Sequence, residues 1–371
     1  MVGLEGGKMD KVKTKKKMSG KKKALITGIS IVSVIVVILF IGLLVYHSYY
    51  SKLNFEPAND NKPTISDNDL PPEPDDNDGP DSSQGEINEA DNNLADNNAP
   101  VKYSKDVFNI LLIGIDSRQD NSRGRSDSMI LVSINKKSKK IITTSIMRDC
   151  YVQIPGHQNN RINAAFAFGG PNLLIQTIEN NFKVRIDRYA YINFFSFIDI
   201  VDSVNGVTLD VSEKEIPVIN KYISQLNRLR NEPQGTDYLT VPGTLHLNGK
   251  QALGYARDRY VGHADFERTA RQRRVLEQIV SKAKGLNPIQ LSSMMNKILP
   301  NVTTNLSEGE VLSYVVGAPT YLKYEVEQFR IPMDNAYKGL RIRGMAVLDV
   351  DFNKNVTELQ SRVFGGLGEI K

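Results

Sequence analysis

The 371-residue sequence predicts an α/β domain with a central mixed β-sheet flanked by helices, preceded by one transmembrane helix. Three observations carry that prediction. Short runs rich in Ile and Val alternate with longer segments whose apolar residues recur every three or four positions. The stretch Ala24–Tyr46 is uncharged. Between it and the alternating region lies a segment rich in Asp, Asn, Pro, Ser and Glu.

Taken in order, residues 1–23 form a basic tail with lysines at Lys8, Lys11, Lys13, Lys15 to Lys17 and Lys21 to Lys23. Residues 24–46, as a helix rising about 1.5 Å per residue, span roughly 35 Å, enough for one crossing. The lysines place the N-terminus in the cytoplasm and everything after Tyr50 outside. The apolar run is longer than a signal-peptide core and is followed by His47-Ser48-Tyr49-Tyr50, so an uncleaved anchor is expected. Much of the excess behind the net charge of +5 sits in this tail. Beside an apolar span it reads as a topology signal near anionic lipid, and no nucleic-acid partner is expected.

Residues 47–102 read as an acidic, disordered linker, an extended stalk whose few apolar residues cannot offset the entropy of ordering. Its aspartates lack the glycine turn and closing glutamate of a calcium loop. Residues 103–371 then form one extracytoplasmic domain of about 270 residues, enough for a full core. Cys150 is the single cysteine, so the fold rests on packing rather than on an internal disulfide. With no His or Lys nearby in sequence to lower its pKa, it is a poor candidate nucleophile.

Within that domain, Phe108–Ile115, Ser128–Ile134 and Lys140–Ile146 are short β-branched runs, and strands are favoured. Pro171 opens a helix with Leu174, Ile178 and Phe182 on one face. A second helix is expected over Phe194–Val204, ended by Gly206, with strands at Arg185–Ile192 and Val207–Val211. Phe266–Lys284 carries the apolar stripe Leu276, Ile279, Val280 and Ala283, while Arg268, Arg271 and Gln272 project from its first turns. Helices at Ile289–Leu299 and Ser307–Val316 and a strand near Met345–Val350 complete the chain. Among the aromatics, Phe166, Phe168, Phe194, Phe195 and Phe197 suit ordinary core packing better than the lining of an apolar tunnel.

Arginines and aspartates collect where these runs stop: Asp116-Ser117-Arg118, Arg125-Ser126-Asp127, Arg148-Asp149, Arg257-Asp258-Arg259, and Asp265 followed by Arg268 and Arg271. Planar guanidinium forks suit a phosphate or pyrophosphate, and carboxylates beside them suit a divalent cation. Open α/β sheets bind ligands at such strand ends. A serine hydrolase is disfavoured because no GxSxG elbow is present, and a nucleotide-binding loop because the phosphate-loop lysine is missing.

The segments FNILLIGIDSR, RSDSMILVSI, TSIMRDCYVQIPG, RINAAFAFGG, VNGVTLDV, LNGKQALGYARDR and DFERTARQRRVLEQIV together resemble the LytR-CpsA-Psr (LCP) family, in its order and approximate spacing. The resemblance is strong over residues 105–285. It implies a single LCP-type domain and a phosphotransferase that moves a glycopolymer, of the teichoic acid or capsule kind, from a polyprenyl-pyrophosphate carrier to peptidoglycan. It also implies an envelope protein of a bacterium with a Gram-positive type of wall. By the same resemblance Asp116 and Asp127 match metal ligands for Mg2+, with Mn2+ as an alternative. Arg125, Arg148, Arg257, Arg259, Arg268 and Arg271 match pyrophosphate-binding arginines, with Gln272 beside them. Arg148, Asp149 and Asp265 form the candidate catalytic set, Asp265 as base. Two motifs depart from the family's common form: the arginine-aspartate motif reads SIMRDC, and Arg161 stands where lysine is common. Two alternatives stay open, a non-catalytic regulatory protein of the envelope that captures lipid-linked polymers, and a hydrolase acting on the same pyrophosphate.

Overall fold

The computed structural model describes residues 42–57, 65–67, 94–96, 98–116, 124–262, 265–366 and 369–370. The basic tail, most of the apolar span Ala24–Tyr46 and most of the acidic segment lie outside the described residues. Residues 42–50 are helical (α1), and no helix among the described residues is long and apolar enough to cross a membrane.

After α1 the elements run β1 (Asn54–Phe55), β2 (Lys102–Tyr103), β3 (Val107–Ile115), β4 (Ser126–Asn135), β5 (Lys140–Ile146), β6 (Tyr151–Val152), β7 (Asn160–Arg161), α2 (Ala164–Phe182), β8 (Arg188–Asn193) and α3 (Phe194–Ser203). They continue with β9 (Val207–Val211), α4 (Glu215–Leu229), β10 (Gly243–Leu247), α5 (Gly249–Arg257), α6 (Asp265–Lys284), α7 (Pro288–Ile298), β11 (Thr303–Thr304), α8 (Glu308–Tyr321), β12 (Glu325–Ile331), β13 (Tyr337–Ile342), β14 (Met345–Val350), α9 (Phe352–Phe364) and β15 (Glu369–Ile370). Asparagine and serine side chains fix several helix starts. Asn193 accepts from the Ser196 amide at 2.9 Å, and Asn248, Asn287 and Ser307 each form a reciprocal capping box.

Seven strands build the mixed sheet in the order β1-β11-β8-β3-β4-β5-β12. β3 runs parallel to β8 and β5 parallel to β12, while β4 is antiparallel to both β3 and β5. The carboxyl ends of β3, β5, β8 and β12 therefore share one edge of the sheet with the start of β4. On one face Leu111, Ile113, Leu131, Met129 and Tyr189 are sealed into the main core with Phe166, Phe168, Leu174 and Ile178 of α2 and Leu359 and Val363 of α9. The other face carries Phe108, Ile110, Leu112, Val132, Ile134, Ala190 and Ile192, paired across the strands and only half-buried. α6 crosses that face where Arg273 donates to Ser145 Oγ at 3.0 Å, and α8 where the Tyr314 ring lies 4.5 Å from Phe108. A second core of Val201, Val207, Ile219, Tyr255 and Val275 joins α3, β9, α4, α5 and α6.

Two readings are corrected. The helix expected from Pro171 begins at Ala164. It breaks at Gly169 and Gly170, where Gly170 has φ 67° and ψ −159°, and resumes at Pro171, the fixed φ of proline suiting a first helical position. The acidic segment is not stalk throughout. Asn54–Phe55 adds an edge strand to β11, and Glu56 is buried with Tyr189 and Tyr191 donating to it. Further along, the Ile65 amide donates to Phe168 O, Asp67 meets His157 at 3.0 Å, and Ala95 packs in the core. The open edge of β11 and isolated apolar residues supply what the overall composition lacks.

Candidate active site at the strand ends

Asp116 directly follows β3, and its amide donates to Arg125 O at 2.9 Å, closing the β3–β4 connection. Opposite it, the ladder slips: Gly114 faces Ser128 but Ile115 faces Ser126, so Asp127 is the extra residue of a bulge. A bulge at a sheet rim re-aims a side chain, and here it turns a carboxylate toward the arginines. Arg148, two residues past β5 and buried, donates from Nη1 to Asp127 Oδ1 at 2.9 Å. Arg257, the last residue of α5, lies with Nη2 3.7 Å from Asp116 Oδ2. Its guanidinium is sandwiched between the Phe194 and Tyr222 rings, 4.2 and 4.5 Å from their centroids. Such stacking fixes the plane of the fork and leaves its edge for an oxyanion.

Burial opposes the charge on Asp127, but Arg148, Arg268 and Arg257 outweigh it and hold the carboxyl below its ordinary value of 3.8. One carboxylate thus sits in the field of three arginines drawn from β5's end, α5 and α6. Burial pushes the Tyr222 hydroxyl up to about 12, with Arg257 opposing, so the phenol stays neutral against the guanidinium.

The predicted residues separate into two groups. Asp116, Asp127, Arg148, Arg257 and Arg268 converge. Asp149 and Arg271 do not face the same space. Asp149 is almost fully buried, with Oδ1 3.5 Å from both Arg148 Nε and Arg161 Nη1, a place from which it braces Arg148. Arg271, 3 % exposed, donates to Glu215 Oε1 at 2.7 Å and to the carbonyls of Asp258 and Val261 at 2.9 Å. In this structure it ties α6 to α4 and to the turn after α5. Arg259 is buried over the Tyr260 ring, Arg125 and Gln272 are half-buried, and Asp265 opens α6. Ser117 and Arg118 lie outside the described residues. Burial, then Asp149, raises the Cys150 thiol pKa, in line with an inert cysteine.

Sequence reasoning missed Phe194 and Tyr222 as partners of Arg257, and Arg161 and Glu215 as supports. Arg161 stood out only as a departure from a motif, and Glu215 and Tyr222 gave no local signal. Phe166 and Phe168 pack in the main core, as expected of ordinary core aromatics.

Among the described residues no group of three or more His, Cys, Asp or Glu could hold a metal by itself. Two carboxylates at neighbouring strand ends fit the other mode, in which Mg2+ keeps one or two protein carboxylates and takes the rest of its oxygens from water and substrate phosphates.

Buried arginines around strand-end carboxylates, on an α/β sheet with one half-open apolar face, form an arrangement chemically suited to a phosphate-type oxyanion. The chain belongs to the LytR_cpsA_psr family, whose model matches residues 80–361. It is 31% identical over 275 residues to biofilm regulatory protein A of Streptococcus mutans, covering 70% of this chain and 64% of that one. To the polyisoprenyl-teichoic acid–peptidoglycan teichoic acid transferase TagU of Enterococcus faecalis it is 34% identical over 55% of this chain and 63% of that one. The match thus spans less than two thirds of each relative. Among solved structures, Bacillus subtilis TagT with bound octaprenyl pyrophosphate lipid superposes with a TM-score of 0.52 at 28% identity, covering 76% of this chain and 98% of that one.

Proposed function

We propose that this chain is a membrane-anchored phosphotransferase that moves a glycopolymer from a polyprenyl-pyrophosphate carrier to a peptidoglycan hydroxyl. The observation that carries the reading is Asp127, re-aimed by the bulge into the field of Arg148, Arg257 and Arg268, with Asp116 on the next strand end. A pure phosphate binder has little use for two carboxylates there, since each repels the anion. The names of TagU and TagT, and the lipid bound in TagT, agree in substrate class.

In this reading Arg148, Arg257 and Arg268 hold the pyrophosphate, and release of their present carboxylate partners leaves forks aimed at its oxygens. Asp116 and Asp127 would hold Mg2+, which supplies neutralisation of the phosphate charge. The acceptor oxygen bonds to the glycan-side phosphorus as the bond to the prenyl phosphate breaks. Asp265, three residues before Arg268, takes the hydroxyl proton. Ile110, Leu112 and Val132 on the half-open face offer the prenyl chain an apolar floor. Residues 24–46 anchor the chain with its domain outside the cytoplasm, in the cell membrane.

The test is transfer by the purified full chain, with a polyprenyl-pyrophosphate glycan donor and peptidoglycan, with and without magnesium. Magnesium-dependent attachment is expected, falling about 10²- to 10³-fold in Asp127→Ala. Donor binding that survives Asp127→Ala without any transfer by the parent chain would instead make this a capture protein, and release of prenyl phosphate without attachment a hydrolase.

A further inference from the structure

We propose that the corner between α6 and α7, residues 280–291, docks into the interface of the same bilayer that holds the N-terminal anchor. The inference goes beyond the transferase site and rests only on the anchor reading of residues 24–46.

The corner holds the most exposed large apolar side chain among the described residues. Ile289 is 82 % exposed, Leu291 stands exposed two residues after it, and Val280 stands exposed nine residues before it, near the end of α6. The capping box of Asn287 and Gln290 holds the first turn of α7, so the exposure of Ile289 belongs to a fixed helix start. Around it the charge is one-sided. Residues 278–307 carry Lys282, Lys284 and Lys297 and no acidic residue, in a chain with 42 of them. An apolar tip with a lysine rim fits an anionic lipid surface, where the side chains bury their stems and keep their ammonium groups at the headgroups.

The chain itself says which surface lies opposite. Tyr49 hydrogen-bonds Ser292, Lys52 donates to Asn296, and Asn54 Nδ2 donates to Pro300 O at 2.7 Å. The pairs 49–292 and 52–296 advance together, so the segment runs alongside α7 in the same sense. It therefore arrives from the N-terminal end of α7, where Ile289 sits. The apolar run ends at Tyr46, only three residues before Tyr49. Tyr49 and Tyr50 are of the type that settles at membrane–water interfaces, and Tyr50 Oη donates to Leu306 O at 2.9 Å. No spacer separates the end of the apolar run from the domain, so this end of α7 is held at headgroup depth. The long acidic segment follows the tether and sets no stand-off from the bilayer.

The test uses the full chain with Ile289→Cys, labelled with an environment-sensitive fluorophore and reconstituted in phosphatidylcholine–phosphatidylglycerol vesicles containing doxyl lipid. Cys150 is fully buried and does not compete for the label. Val241→Cys is the comparator, since Val241 is exposed and lies beyond Gly243, at the end of the β9–β10 ribbon remote from Asn205 and Lys282. A blue-shifted, lipid-quenched label at 289 with an unquenched label at 241 is the expected result. A chain that floats with the vesicles while both labels stay unquenched overturns the docking and leaves the anchor. A chain that does not float overturns the anchor reading and the docking with it. Disulfide-linked dimers of unlabelled Ile289→Cys, with no lipid quenching of the labelled variant, overturn the docking by assigning the corner to a second copy of the chain.

Discussion

On one face of the sheet Leu111, Leu131 and Ile142 are fully buried, whereas Ile110, Leu112 and Val132, one residue along the same strands, stay half-exposed on the face crossed by α6 and α8. The two sets are equally apolar. Strands apolar on both sides belong to sheets covered on both sides, and exposed apolar surface costs about 25 cal/mol per Å² of burial forgone. The sealed face thus reports folding. The half-open face, next to buried arginines at the strand ends, is where the proposed lipid carrier would lie.

The comparison can be broken or sharpened by substitution. The largest effect on stability is expected on the sealed face, where Leu131→Ala should cost about 2–5 kcal/mol by denaturant unfolding. Val132→Ala, its neighbour on the other face, should cost about 1 kcal/mol or less, because partial exposure leaves less contact to lose. Similar costs would erase the distinction. Next, Leu112→Lys should leave the melting temperature within a few degrees and cut binding of a polyprenyl-pyrophosphate lipid about tenfold or more. Unchanged lipid binding would remove the open face from the site.

Arg148→Lys keeps the charge near Asp127 but loses the planar fork, and transfer should fall about tenfold or more, with a smaller change in unfolding free energy. The smallest effect concerns pH. A carboxyl lowered in the folded state adds stability above its unfolded pKa and loses it as pH falls through the folded value. The difference in unfolding free energy between the parent chain and Asp127→Asn should therefore stay flat near neutrality and narrow only below 3.8, the ordinary carboxyl value. Narrowing at pH 5 or above would mean that Arg148, Arg257 and Arg268 do not hold that carboxylate.

Much of this was legible along the chain. β5, β9 and β14 lie at their expected bounds, since short β-branched runs between polar stops have few other uses. β12 and β13 were not expected; each alternates with charged residues and is held by its partners, β12 by β5 and β13 by β14. α4 has an amphipathic stripe broken by Pro217 near its start, and α9 follows a strand with no strong stop before it.

The sequence by itself determined the family, the order of the main elements, and the residue types of the site, because motif spacing and hydrophobic period are local properties of the chain. Only the tertiary structure separated arginines that point into the site from Arg271, which pins helices together, and Asp127 from Asp149, which lies behind an arginine. It alone showed that two apolar faces of one sheet differ in cover, and that Asn54–Phe55 and Glu56 belong to the domain. Those distinctions depend on which side of an element a group faces and what lies opposite. Side chains far apart in sequence decide that, through burial and pairing.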